Sequence, residues 1–345
     1  MSLDLEKRTI GVGLRGTGQV AVEHVKAFMA NENTYIACVC GRSLEKAKAF
    51  ADTYAPGARV YEHYADMLGD PGTAIVSECM PNYLHASEAI LALAAGKHVL
   101  LEKPAGVTSE EVDELYRAAG KAKGKTIVSF LMRWNPLVEC IATLLKNNAI
   151  GKVYYAGADY WHGIKPGFSS YNWIRKREFA GGAMITGGCH AADLARYLNG
   201  EVSEVFAFST RDRPDFDYET TLSAAVRFVG GSVGRLSASL DGLKMPYQFN
   251  IDLLGTEGAI RNDRLYSGTL FPGQDDWINI QAQGPDSGSV SHHPFRAEID
   301  ELISAILHDT PVRSTISDAC KSMDIALAVT ESAKTGKPVA IKGRS

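Results

Sequence analysis

The sequence predicts an α/β protein in two parts: a doubly wound parallel sheet over residues 1–130, then an α+β domain over residues 131–345 with a large open, mostly antiparallel sheet. Three observations predict it. A length of 345 residues exceeds one ordinary domain. From residue 8 to about residue 130, short β-branched runs alternate with helical periodicity, the pattern of βαβ units. After residue 150 the apolar period drops to two, the spacing of strands exposed on one face.

In order along the first part, strands are expected at Thr9–Leu14, Tyr35–Cys40, Ala74–Met80, His98–Leu101 and Thr126–Phe130, with amphipathic helices between them such as Ser43–Tyr54 and Leu84–Ala95. Ser43 and Ser109 read as N-caps, Gly96 and Gly124 as helix stops. In the second part Leu222, Ala224, Val226 and Phe228 share one strand face, Leu236, Ala238 and Leu240 continue on the next run, and Gly230-Gly231 between them predicts a tight hairpin. Phe249, Ile251 and Leu253 alternate with Asn250 and Asp252. Helical spacing returns at Phe295, Ile299, Leu302, Ile303 and Ile306, a helix expected to cover one side of that sheet. The boundary is expected as a tight crossover near residues 125–135.

Composition excludes several function classes. With 45% hydrophobic and 22% charged residues, a net charge of −4 and no basic cluster, nucleic acid and anionic membrane are poor partners. The apolar runs are too short to span a bilayer and the first ten residues lack a signal-peptide layout, so a cytoplasmic protein is expected. Six cysteines without CxxC spacing or a His-rich companion cluster predict neither a metal site nor a disulfide framework.

The chemistry-bearing signal opens with Gly16-x-Gly18-x-x-Ala21, directly after a strand and at the start of a helix. Gly16 permits a tight turn, Gly18 lets a pyrophosphate approach the backbone, and Ala21 allows close helix–sheet contact, so Gly16, Thr17, Gly18, Gln19 and Val20 are the expected cradle of a dinucleotide in a Rossmann domain. At the end of the second strand, where an acid would grip the ribose of NAD, stand Gly41, Arg42 and Ser43. A guanidinium and a hydroxyl suit a 2′-phosphate, which makes NADP the preferred cofactor and NAD the other possibility.

Pro81, Asn82, His85, Glu102 and Lys103 follow predicted strands at their carboxyl ends, where cofactor and substrate sit in such sheets. Lys103 carries an ammonium able to exchange a proton with a hydroxyl. His190 begins a helix after the glycines of 181–188, and an imidazole titrates near neutrality. Arg133, Tyr160, Trp161 and Trp173 are candidates to line a pocket for a polar ring.

The chain resembles the glucose-fructose oxidoreductase and inositol dehydrogenase family, Gfo/Idh/MocA, across almost its whole length: in the glycine turn followed by His24, in PNYLH at 81–85, AGKHVLLEKP at 95–104, RWNP at 133–136, GGAMITGGCH at 181–190 and ESAKTGKPV at 331–339. The resemblance implies oxidation of a sugar, polyol or related hydroxyl compound, Lys103 near substrate and nicotinamide, His190 as general acid/base, and a homodimer or homotetramer built on the open sheet. One departure stands out: four positions before His190 the family pattern has an acid, and here it is Thr186, a candidate for substrate contact. The expected activity is hydride transfer between a secondary alcohol and a nicotinamide cofactor. The alternatives are a dinucleotide- and sugar-binding regulator without turnover, or a lyase or glycosidase using its cofactor transiently.

Overall fold

The computed structural model describes residues 9–241, 244–284 and 293–344. The reading of the first eight residues lies outside these. The chain divides into two compact units, Met1–Phe130 with Val290–Cys320, and Leu131–Ser289 with Lys321–Ser345.

In the first unit β1 (Ile10–Arg15), α1 (Gln19–Ala30), β2 (Thr34–Cys40), α2 (Leu44–Tyr54), β3 (Arg59–Tyr61), α3 (Tyr64–Gly69), β4 (Ile75–Glu78), α4 (Asn82–Ala94), β5 (His98–Leu101), α5 (Ser109–Lys121) and β6 (Thr126–Val128) alternate. Among the described residues the strands form one parallel sheet in the order β3-β2-β1-β4-β5-β6. Strand order reverses between β1 and β4, the switch point at which such sheets take ligands. Val12, Leu14, Val39, Val76 and Leu100 are fully buried, as parallel strands covered on both faces require. Ser43 caps α2 by accepting the Lys46 N–H. The cap of α5 is Thr108 rather than Ser109: its hydroxyl accepts the Glu111 N–H while Glu111 returns a bond to the Thr108 backbone. Gly96 stops α4 at φ +75°, whereas α5 ends at Lys121 and Gly124 serves close packing, since a Cβ there would lie 2.3 Å from the Lys97 carbonyl oxygen.

The second unit follows a 3-10 turn at Leu131–Trp134 with α6 (Pro136–Lys146), β7 (Val153–Trp161), α7 (Tyr171–Ile174), α8 (Arg177–Ala180), a π-helical turn at Met184–Gly188, α9 (Cys189–Asn199), β8 (Val202–Thr210), β9 (Thr221–Phe228), β10 (Val233–Ser239), β11 (Gln248–Gly255), β12 (Gly258–Arg261), β13 (Arg264–Ser267) and β14 (Ile278–Asn279). Next come α10 (Phe295–His308), α11 (Ile316–Thr335) and β15 (Val339–Ala340). The described strands order as β14-β13-β12-β11-β7-β10-β9-β8-β15, with β7 and β10 parallel and the other pairings antiparallel. The predicted hairpin joins β9 to β10 through Gly231 at φ +89°. Leu222, Ala224, Val226 and Phe228 are buried on one face, and α9 packs on β7 and β10.

One expectation is corrected by α10. Its apolar stripe packs on α1 in the first unit, with the Phe295 ring 5.0 Å from the imidazole of His24, rather than on the antiparallel sheet. By contact, the segment Val290–Cys320 groups with the first unit. An apolar stripe establishes that a helix buries a face; it carries no information about which sheet receives it. Because Ile299 on this face has no exposed surface, Ile299→Ala should cost about 2–5 kcal/mol, read as a lowered denaturation midpoint in urea.

Candidate active site

The β1–α1 turn is built for a diphosphate. Gly16 sits at φ +109°, and a Cβ there would lie 2.7 Å from the Cys79 carbonyl oxygen. Gly18 precedes α1 without a side-chain cap, the first turn carries no acid, and a Cβ on Gly18 would meet nothing within 4 Å. Ala21 is fully buried beneath the helix. Helix-start N–H groups with an open approach fit a phosphate-bearing dinucleotide. The β2–α2 turn lies beside it: the Gly16 N–H donates to the Cys40 carbonyl at 2.9 Å, and a Cβ on Gly41 would come within 3.3 Å of the Thr17 side chain. Arg42 is exposed there, and Ser43 is half-buried by its cap.

Lys103 is half-buried just past β5, and its backbone N–H donates to Glu102 Oε2 at 3.3 Å. Glu102 turns inward, with His24 Nε2 at 3.1 Å from its Oε1 and His24 Nδ1 at 2.7 Å from Ser77 Oγ. Burial pushes the Glu102 carboxyl up, but the hydrogen bond and charge of His24, with Lys103, outweigh it and hold Glu102 below its ordinary value. Glu298 of α10 accepts from Ser129 Oγ at 3.1 Å; burial pushes it well above the ordinary carboxyl range, and the Glu102 charge adds to this. Two buried carboxyls of one unit are thus moved in opposite directions, Glu102 down and Glu298 up.

In the second unit His190 lies in the first turn of α9, 4% exposed, directly after the π-helical turn. Its ring stacks on Tyr160 of β7 at 5.8 Å and 27°, and the Tyr160 hydroxyl lies 3.0 Å from His162 Nδ1. The glycines of the turn allow this approach: a Cβ on Gly187 would fall 2.5 Å from Tyr160, and one on Gly188 2.6 Å from the Ala238 Cβ. Thr186, in the same turn, is buried.

Residues 10–130 match the oxidoreductase-family profile for an NAD-binding Rossmann fold, and residues 142–341 match the profile of the family's C-terminal alpha/beta domain. The chain belongs to the Gfo/Idh/MocA oxidoreductase family. It is similar to an uncharacterized oxidoreductase of Synechocystis sp., 30% identical over 306 residues spanning 87% of this chain and 80% of that one. It is also similar to D-xylose 1-dehydrogenase (NADP(+)) 2 of Haloferax volcanii, 26% identical over 95% of this chain and 98% of that one. In fold it is similar to levoglucosan dehydrogenase in its apo form, with a TM-score of 0.88 at 23% identity over 98% of this chain and 100% of that one. No helix among the described residues is long and apolar enough to cross a membrane.

Several of the expected site residues make buried contacts within their own unit. His85 is 1% exposed, with its ring nitrogens 2.8 Å from the Pro104 carbonyl and 2.6 Å from the Met80 carbonyl; it holds two loops from behind. Burial lowers its pKa, and the two carbonyls oppose that. Glu102 likewise turns inward to His24, while Pro81 caps α4 and Asn82 is buried in its first turn. Arg133, 2% exposed, donates through Nε and Nη2 to Asp193 at 2.9 and 2.5 Å, and Asp193 also accepts from Ser322, so that pair braces α9. Trp161 follows Tyr160 on β7 and so faces the opposite side of the sheet, where its indole N–H donates to Ser237 Oγ. Trp173 is half-buried on the short helix α7. Residues overlooked in the sequence are Arg15, Glu78 and Glu88, buried ionisable side chains beneath the β2–α2 turn, and Glu298. Their signal was present: IGVGLR and IVSE each end an apolar strand in a charge.

The carboxyl of Glu298 supplies a pH test. Its raised pKa contributes stability that is complete below the unfolded carboxyl value, about 4.3, and is lost as pH rises through the folded value. Glu298→Gln, neutral at every pH, should leave the melting temperature near that of the parent at pH 4 and raise it by a few degrees at pH 8, measured by calorimetry.

Proposed function

We propose that this protein is a cytoplasmic, homo-oligomeric dehydrogenase that oxidises a secondary alcohol of a sugar or polyol, with NADP preferred over NAD. The observation that carries the cofactor reading is the pair of adjoining turns: Gly16–Gly18 opens toward a helix start with no side-chain cap, and Gly41-Arg42-Ser43 offers a guanidinium and a hydroxyl where no carboxylate stands. The named relatives support the substrate class: D-xylose 1-dehydrogenase (NADP(+)) 2, levoglucosan dehydrogenase and D-glucoside 3-dehydrogenase all act on sugars or their derivatives by name.

The bound coenzyme supplies a nicotinamide that accepts hydride. The protein's share is positioning and proton handling. The glycine turn holds the diphosphate, and Arg42 with Ser43 binds the 2′-phosphate. We assign proton exchange with a substrate hydroxyl to Lys103 Nζ and to the imidazole of His190, each on the chemistry of its own group. Tyr160 and the π-helical turn fix the plane of the His190 ring, so that orientation is prepaid in folding.

A thermal-shift comparison with NAD, NADP and no coenzyme should raise the melting temperature most with NADP, and a sugar and polyol panel with that coenzyme should then yield absorbance at the reduced-nicotinamide band. No shift with either coenzyme would remove the reading. Lys103→Ala and His190→Ala should each lower kcat by about 10²–10⁴-fold while coenzyme affinity stays within a few-fold, measured by steady-state kinetics and calorimetric titration; unchanged turnover in both refutes their roles.

A further inference from the structure

Arg15 closes β1 and is 8% exposed in the interior of the first unit. Its guanidinium is fully directed. Nε and Nη2 donate to the two carboxylate oxygens of Glu88 on α4 at 2.7 and 2.6 Å, a bidentate pair. Nη1 donates to the Gly41 carbonyl at 3.0 Å and to Cys40 Sγ at 3.3 Å, and the Tyr64 ring lies 5.0 Å from the guanidinium carbon. Two apolar side chains of similar volume would fill this space without the several-kcal/mol desolvation that buried ions incur, so stability alone does not account for an ion pair here.

The Gly41 bond gives the pair something to do. The Gly41 carbonyl belongs to the same peptide plane as the Arg42 N–H, so fixing that oxygen fixes the direction in which the chain enters Arg42. Ser43, one residue further, is fixed by its cap to Lys46 N–H. A Cβ on Gly41 would press within 3.3 Å of both Ala47 Cβ and Thr17 Cγ2, so the turn has little room to pivot. Arg42 is thus held between two anchored neighbours, and its long side chain has less backbone freedom to lose on meeting a ligand.

The charge balance fits. Burial pulls the Arg15 pKa down, but the hydrogen bond and charge of Glu88 outweigh it and keep the guanidinium charged. Burial, then the Glu88 charge, raise Glu78 well above the ordinary carboxyl value; its Oε1 accepts the Met80 N–H, and its buried Oε2 has no hydrogen-bond partner. A raised Glu78 carboxyl lessens the negative charge set beneath the turn against a bound phosphate.

We infer that Arg15, locked by Glu88, is a positioning residue for coenzyme discrimination: it holds the Gly41 carbonyl so that Arg42 and Ser43 are preset for a 2′-phosphate. This rests on the reading of Gly41-Arg42-Ser43 given above.

The test is fluorescence titration with NADPH and NADH of the wild type, Arg42→Ala, Arg15→Lys, and the double variant Arg15→Met with Glu88→Leu, which leaves no ion of the pair unmatched. The double variant should lose at least tenfold in NADPH affinity while NADH affinity changes less than threefold. Arg15→Lys, which keeps the charge but not the fork of donors, should fall between it and the wild type. If both coenzymes weaken by one common factor, or neither weakens, in whichever Arg15 variant folds, the role is only structural and the inference is overturned. A wild type without NADPH preference, whose coenzyme ratio Arg42→Ala leaves unmoved, overturns the 2′-phosphate reading and this inference together. A ratio that shifts with Arg42→Ala but not with the Arg15 variants overturns this inference alone.

Discussion

The first unit depends on one close approach: the backbone of Gly16 lies against the carbonyl of Cys79, so the turn after β1 and the end of β4 can adjoin only where position 16 has no side chain. Three consequences follow from this contact. It allows α1 to begin at once, with its N–H groups presented past Gly18 rather than spent on a cap. It sets Gly16 N–H on the Cys40 carbonyl, which brings the ends of β1 and β2 level. It also lets the loop after β4 run into α4, whose His85 then ties the Met80 and Pro104 carbonyls together.

Behind these loops the first unit is unusually polar for a sheet interior. Arg15 with Glu88, His24 with Ser77 and Glu102, and Ser129 with Glu298 are all buried. A buried ion without a partner costs several kcal/mol, so each such group restricts the arrangements the loops around it can adopt. Where an apolar core would tolerate small shifts, these networks tolerate few. That is a suitable foundation for loops that must hold a coenzyme in one pose.

Local chemistry was legible in the sequence, and long-range partnership was not. The strand at His98–Leu101 and the Ser43 cap follow from neighbouring residues alone and stand as expected. The hairpin at Gly230-Gly231 is equally local. The three-residue strand Arg59–Tyr61 escaped because so short a run has no period to detect. The destination of α10 escaped because its stripe is equally suited to a helix or a sheet of either unit. Within the candidate site the conformation of the glycine turn follows from residue type, but the buried partners of Arg133, His85 and Glu102 could not be read from their neighbours. An exposed arginine and one paired with an aspartate sixty residues away are spelled identically. Adjacent aromatic residues on a strand should have been separated on periodicity alone, which sends Tyr160 and Trp161 to opposite faces.

The π-helical turn at Met184–Gly188 takes up one residue more than an α-helical turn would, which advances everything after it by about 100° around the helix axis. The stacking of His190 on Tyr160 is therefore a matter of phase as well as of composition. Removing a single glycine from that segment would rotate the imidazole off the sheet while leaving every side chain of α9 chemically intact. A side chain placed in this way can be redirected by a one-codon deletion, a route of change that no comparison of residue types would flag.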